Sequence, residues 1–190
     1  MEEKIMFEFL NELFNSNDST DGNAIRRVKT PTNAADFLDR LKSGQRQFNS
    51  LILENVDLRG LDLSHLVLAN CELTDSDLSY ACLFNANFSQ TKCDRANLTA
   101  AYLEGANFYR SSLVGANLSH CQATRVNFSR ANLSDANLTW ANLTASNLSQ
   151  TRLENVNLSG ANLDGANLPK SKTTMTLKML RLPIGIGVVR

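Results

Sequence analysis

The sequence predicts an all-β solenoid, a four-sided coil wound from five-residue units with a short α-helical segment in front. Two observations predict it. Every fifth residue from Phe48 to Leu168 is apolar or small, with no insertion or deletion in the register. The four phenylalanines of that series, Phe48, Phe88, Phe108 and Phe128, are spaced by multiples of twenty residues. The chain divides accordingly into a helical cap or linker over 1–45, the repeats over 46–170, and a cap or tail over 171–190.

In the first segment, Ile5, Met6, Phe9, Leu10, Leu13 and Phe14 fall along one stripe at helical spacing. A polar run from Asn15 to Asn23 then reads as a turn or linker. A second helix is expected after Pro31, with Thr32 or Asn33 as N-cap and Gly44 as its stop. Its Ala35, Phe37, Leu38 and Leu41 would cover the first coil, because the end of a solenoid exposes apolar surface that needs a cap. Docking of another protein is the competing reading of these helices.

Across 46–170 the fifth-residue series holds 25 positions: 19 Leu, 4 Phe, Cys93 and Ala123. Two residues earlier the side chain is usually small, being Ala at 11 of 25 units, for example Ala96, Ala116 and Ala131. The residue between is mainly Asn, as at Asn97, Asn107 and Asn132. A helix would carry a period of five around its whole surface, and a flat strand demands a period of two. Two inward residues followed by a polar bend make each unit one short side of a coil. The abundant Asn, Ser, Asp and Gly suit the corners, since they accept turn geometry and hydrogen-bond nearby backbone.

The phenylalanine spacing sets four units per lap. Phe48, Phe88, Phe108 and Phe128 then share one interior column with Leu68, Leu148 and Leu168, while Leu98, Leu118 and Leu138 stack in another. Six laps at about 4.8 Å each give a rod on the order of 30 Å long. After Pro169, the segment 171–190 alternates apolar residues with Lys178 and Arg181. It reads as a cap, a homodimer contact or a basic tail.

The unit Ala-Asn-Leu-Ser/Thr-x resembles the motif A(D/N)LXX of the pentapeptide-repeat proteins, and 46–170 fits it continuously. The resemblance implies a right-handed quadrilateral β-helix. Leu51, Val56, Leu61 and Leu66 are larger than the family's usual Ala, which suggests a wider first coil, and the core is expected to thin at Cys93 and Ala123. The family is abundant in cyanobacteria, where one member influences heterocyst development. Other members resemble DNA in shape and negative charge and bind DNA gyrase. A net charge of −2 over 46–170 matches that analogy poorly.

Function is expected in binding. Lys+Arg and Asp+Glu both total 19, so no overall charge draws the chain to nucleic acid or an anionic membrane. Neither a signal peptide nor a membrane-spanning run is evident, and a cytoplasmic protein is the expectation. Cys71, Cys82, Cys93 and Cys121 lack metal-ligand spacing, and three of them fall at inward positions. His65 and His120 are the only histidines. No serine or cysteine has a recognisable base partner. No catalytic residue, cofactor, metal or small-molecule substrate is therefore expected.

Two outward groups remain. Tyr80, His120 and Trp140 share a corner column with Ala100 between them, and Phe84 and Tyr102 follow just past that corner. Exposed rings on a rigid side resemble a protein-binding hot spot. Arg110 and Arg130 share another column, with Arg152 near the same corner and Arg125 further off, while Asp135 and Glu154 interleave. The expected role is a non-enzymatic protein-binding scaffold or regulator. The alternative is a nucleic-acid mimic or binder, which the near-neutral charge disfavours.

Overall fold

The structure is a computed structural model that describes residues 34–170. The apolar stripe from Ile5 to Phe14, the N-cap at Thr32 or Asn33 and the segment 171–190 lie outside the described residues.

Helix α1 (Ala34–Lys42) carries Asp36 in its first turn and Arg40 and Lys42 in its last, matching the helix dipole at both ends. It stops where the sequence says. Gly44, at φ +90°, donates its N–H to Leu41 O, and Gln45 donates to Arg40 O. This pair of bonds is the Schellman arrangement, which needs a left-handed residue at that position. Phe37 and Leu38 are buried, and Leu41 packs on the core at partial exposure. The Phe37 ring lies 4.8 Å from Phe48, the first interior phenylalanine. Ala35 is exposed, so it does not join the covering face.

Beyond the helix, parallel bridges join residues twenty apart, from Gln47↔Val67 to Asn147↔Asn167. Twenty residues hold four turns, so each lap has four sides. The first side carries the centres Phe48 to Leu168, the second Leu53 to Leu153, the third Leu58 to Leu158 and the fourth Leu63 to Leu163. Each side contributes a single bridge residue where strands were expected, because the chain turns again within three residues.

The hydrogen bonds explain the repeat residue by residue. In the unit Ala96–Ala100, Ala96 N–H reaches back to Cys93 O and closes the preceding turn. Asn97 N–H donates to Ser76 O on the lap before, and Leu98 N–H to Asn117 O on the lap after. Ala100 N–H donates to Ser119 O. The fifth N–H, on Thr99, is taken by the Asn97 side chain at 3.2 Å. The same side-chain cap recurs at Asp77, Asn87, Asn117, Asn137 and Asn157. Asn or Asp stands in the middle of the unit because a shorter or apolar side chain leaves that donor uncapped.

The interior is apolar and continuous. Leu98, Leu118 and Leu138 are each at most 1% exposed, in successive laps. Phe88, Phe108 and Phe128 stack at centroid distances of 5.0 and 5.3 Å. Leu68 and Leu148 are buried in the same column, whereas Leu168 is 39% exposed on the last described lap. Cys93 and Ala123 are fully buried despite their small size.

Candidate functional site

The second residue of every turn lies at positive φ, between +53° and +70° through the coil. Turns of this kind favour Gly or Asn there, and a bulky side chain is conformationally unfavourable. Yet Tyr80, His120 and Trp140 occupy this position at φ +59°, +60° and +60°. All three stand on the corner between the third and fourth sides, with Ala100 between them, as the register requires. Their N–H groups donate to Thr99, Thr139 and Ser159 O, so the backbone holds the column rigidly from lap to lap.

Tyr102 sits in the middle of the fourth side, bridged between Cys82 and Gln122. An Asn at this position would cap the N–H of Glu104, which a tyrosine does not do. Neither placement is peculiar to the rings, since Gln90, Arg95 and Arg130 share the positive-φ corner position and Cys82 and Gln122 share the middle position of this side. The rings are open to solvent: Tyr80 is 64%, Tyr102 57% and Trp140 54% exposed. His120 is also exposed. Phe84 is further away than the sequence reading suggests. It lies at the far corner of the fourth side, with its ring edge-on to His65 at 5.7 Å and 84°. That contact places Phe84 beside His65, at 40% exposure.

The basic residues form a second locus, on the corner that closes the first side. Arg110 and Arg130 occupy successive laps of one column. Tyr109, which sequence reasoning missed, joins them. Its ring lies 5.1 Å from the Arg110 guanidinium, and its hydroxyl accepts a hydrogen bond from Arg130 at 3.4 Å. Only the twenty-residue register brings these three groups together. Arg152 is exposed on the second side, and Arg125 pairs with Glu104 at 3.3 Å.

Burial pushes the thiols of Cys93 and Cys121 up to about 12, and that of Cys71 upward as well. They are neutral at physiological pH and act as small apolar core residues. Cys82 is partly exposed, 3.1 Å from the Ser64 hydroxyl. Among the described residues no three His, Cys, Asp or Glu gather as a metal ion would need. No described helix is long and apolar enough to cross a membrane.

A family model described as pentapeptide repeats matches in 8 copies over residues 52–90, 91–130 and 131–168. No curated protein is significantly similar to the chain. Among solved structures, the chain is similar to a trypsin-treated form of QnrB1, a plasmid-mediated fluoroquinolone resistance protein. The two share 21% identity at a TM-score of 0.41, over 63% of this chain and 64% of that one, which is under two thirds of its length. A pentapeptide repeat protein from the Arabidopsis thaliana thylakoid lumen shares 32% identity over 56% of this chain and 67% of that one, at a TM-score of 0.30. The pentapeptide repeat protein Rfr23 from the cyanobacterium Cyanothece 51142 shares 27% over 70% and 98%, at a TM-score of 0.32.

Proposed function

Because the chain belongs to the pentapeptide-repeat family, we propose that it is a non-enzymatic scaffold or regulator whose aromatic corner docks a protein partner. The supporting observation is the placement of Tyr80, Tyr102 and Trp140. Each is more than half exposed, and they are three of the six exposed large hydrophobic side chains among the described residues. Rings on a rigid support also lose little conformational entropy on binding, which suits them to a hot spot.

The reading includes a right-handed quadrilateral coil, the hand that the family implies, and a cytoplasmic setting. It assigns α1 to capping the first lap, supported by the burial of Phe37 against Phe48. It also assigns self-association to 171–190. Sedimentation of a chain ending at residue 170 tests that last assignment: an unchanged oligomeric state removes it.

The test of the docking surface is a double substitution, Tyr102→Ala with Trp140→Ala. Its circular dichroism and melting should match the parent, because both side chains point outward. A partner that the parent captures from extract, and that binds it again as purified protein, should be lost by the variant. Equal capture by the two proteins would sink the proposal.

A further inference from the structure

The charges of the coil are segregated by side. Between residues 46 and 170 the chain has 11 acidic residues, and none falls on the first side or the corner that closes it. That surface carries Arg46, Arg110, Arg130 and Lys170, with Asn or Ser at most of its other outward positions. Its middle column is a ladder of amides. Asn107 donates to Asn87, Asn127 to Asn107 and Asn167 to Asn147, at 3.3, 3.0 and 3.3 Å. The ladder is a flat neutral platform whose hydrogen bonds are largely spent on itself.

Arg110 and Arg130 differ from Arg59, Arg95 and Arg125 on the other sides of the coil. Arg59 pairs with Asp57 at 2.6 Å, Arg95 with Asp75 at 2.6 Å and Arg125 with Glu104 at 3.3 Å. Arg110 and Arg130 have no carboxylate partner among the described residues. They are nevertheless held in place. Tyr109 offers its ring to Arg110 and its hydroxyl to Arg130, and Arg130 Nε donates to Gln150 Oε1 at 3.0 Å. Two guanidinium groups are thus positioned without being neutralised, and each keeps donors free for an oxyanion.

We propose that this side is a docking surface for an acidic segment of a partner protein, seated on Arg110 and Arg130. Corners one lap apart are separated by about 4.8 Å, and same-face side chains of an extended peptide by roughly 7 Å. Two long arginines readily take up that difference, so Glu or Asp side chains at alternate positions can each meet one guanidinium. A nucleic acid is the weaker match. Affinity for a phosphate backbone comes from the number of phosphates that Lys and Arg neutralise, and this side offers four cations with only two adjacent. Asp94, Asp135 and Glu154 on the second side, with Glu104 and Asp164 by the fourth corner, would repel a wider polyanion. The surface is two corners away from Tyr80 and Trp140, so it stands whether or not the aromatic corner binds anything.

Fluorescence anisotropy with a labelled hexaglutamate peptide and the full chain tests this. Binding should be seen at about 20 mM salt and weaken at about 200 mM, as screening requires. The pair Arg110→Gln with Arg130→Gln should weaken it at least about tenfold. Tyr109→Phe, which removes only the hydroxyl acceptor, should weaken it by about threefold, while Trp140→Ala should leave it unchanged. If the double variant melts early, Arg110→Gln alone carries the comparison, because the hydrogen bond that Arg110 gives the coil is from its backbone N–H to Ser129 O, which the substitution keeps. Absence of binding by the parent chain, or equal binding by the arginine variants, overturns the proposal. Tighter binding of a labelled oligothymidylate of equal charge overturns it in favour of nucleic acid.

Discussion

The indole of Trp140 occupies the space that a side chain at Gly160 would need, one lap further on. A β-carbon built on Gly160 would sit 2.4 Å from Trp140 Cε3 and 2.6 Å from Cδ2. Gly160 is also at φ +70°, where any other residue is conformationally unfavourable. Gly160→Ala should therefore destabilise the coil by about 1–3 kcal/mol and shift the fluorescence of Trp140, the only tryptophan. Combining it with Trp140→Ala should recover the steric part of the loss but not the backbone part. Additive losses in urea denaturation would show that the two residues do not meet.

Leu118 is completely buried between Leu98 and Leu138. Truncation to Ala should cost about 2–5 kcal/mol, read as a fall in the urea midpoint. Leu118→Asp should unfold the rod, since a carboxylate there has no partner and no water. A normal melting curve for the Asp variant would contradict the interior placement of this column.

Tyr102→Asn offers a test of opposite sign. An Asn in the middle of the unit would cap the N–H of Glu104, as Asn97 does for Thr99. A gain of about 0.5–1.5 kcal/mol is expected, measured as a raised urea midpoint. The same variant should lose partner capture if the ring is there for binding, an exchange of stability against function. A lower midpoint would mean that the ring serves the fold.

The four cysteines should separate by reactivity. With their thiols pushed up to about 12, Cys93 and Cys121 should resist alkylation at pH 8 in the native protein, and buried Cys71 should follow them. Cys82, partly exposed, should label first. Mass spectrometry after brief iodoacetamide treatment should show one adduct natively and four in urea. Early modification of Cys93 would place it outside the core.

Acid should weaken the coil by a defined route. Hydrogen bonds from Arg59, from the Ser64 backbone and from Arg95 hold Asp57, Asp62 and Asp75 below the usual carboxylate range. A carboxyl depressed in the folded state stabilises it above the unfolded value, near 3.9, and that contribution fades as pH falls below it. The urea midpoint should therefore decline from pH 5 to pH 2. Asp62→Asn keeps an acceptor for Ser64 and removes one titration, so its decline should be shallower. An identical pH profile would eliminate Asp62 from the effect.

Much of this was legible before the coordinates. The period of five follows from the unbroken series Phe48 to Leu168, and the four-unit lap and the phenylalanine column from the spacing of Phe48, Phe88, Phe108 and Phe128, because bulky rings in a narrow coil must share one side. Gly44 announced the end of α1. What stayed hidden depends on the direction of side chains at the corners. Phe84 looked like a neighbour of Tyr80, but the turn sends it a full side away to meet His65. Tyr109 was not singled out at all, since its partners lie one position and twenty-one positions along the chain. The left-handed backbone under Tyr80, His120 and Trp140 was signalled only indirectly, by Gly60, Gly105, Gly115, Gly160 and Gly165 at the same place in other units.

Bridges that always span twenty residues have an implication for how such a chain can change its length. A five-residue insertion would rotate everything after it by a quarter turn and scatter the arginine and aromatic columns over different sides. A whole extra lap would leave each column intact and merely move its two ends apart. Growth therefore comes in fixed increments, and the distance between any two features along the axis behaves like a count of rungs.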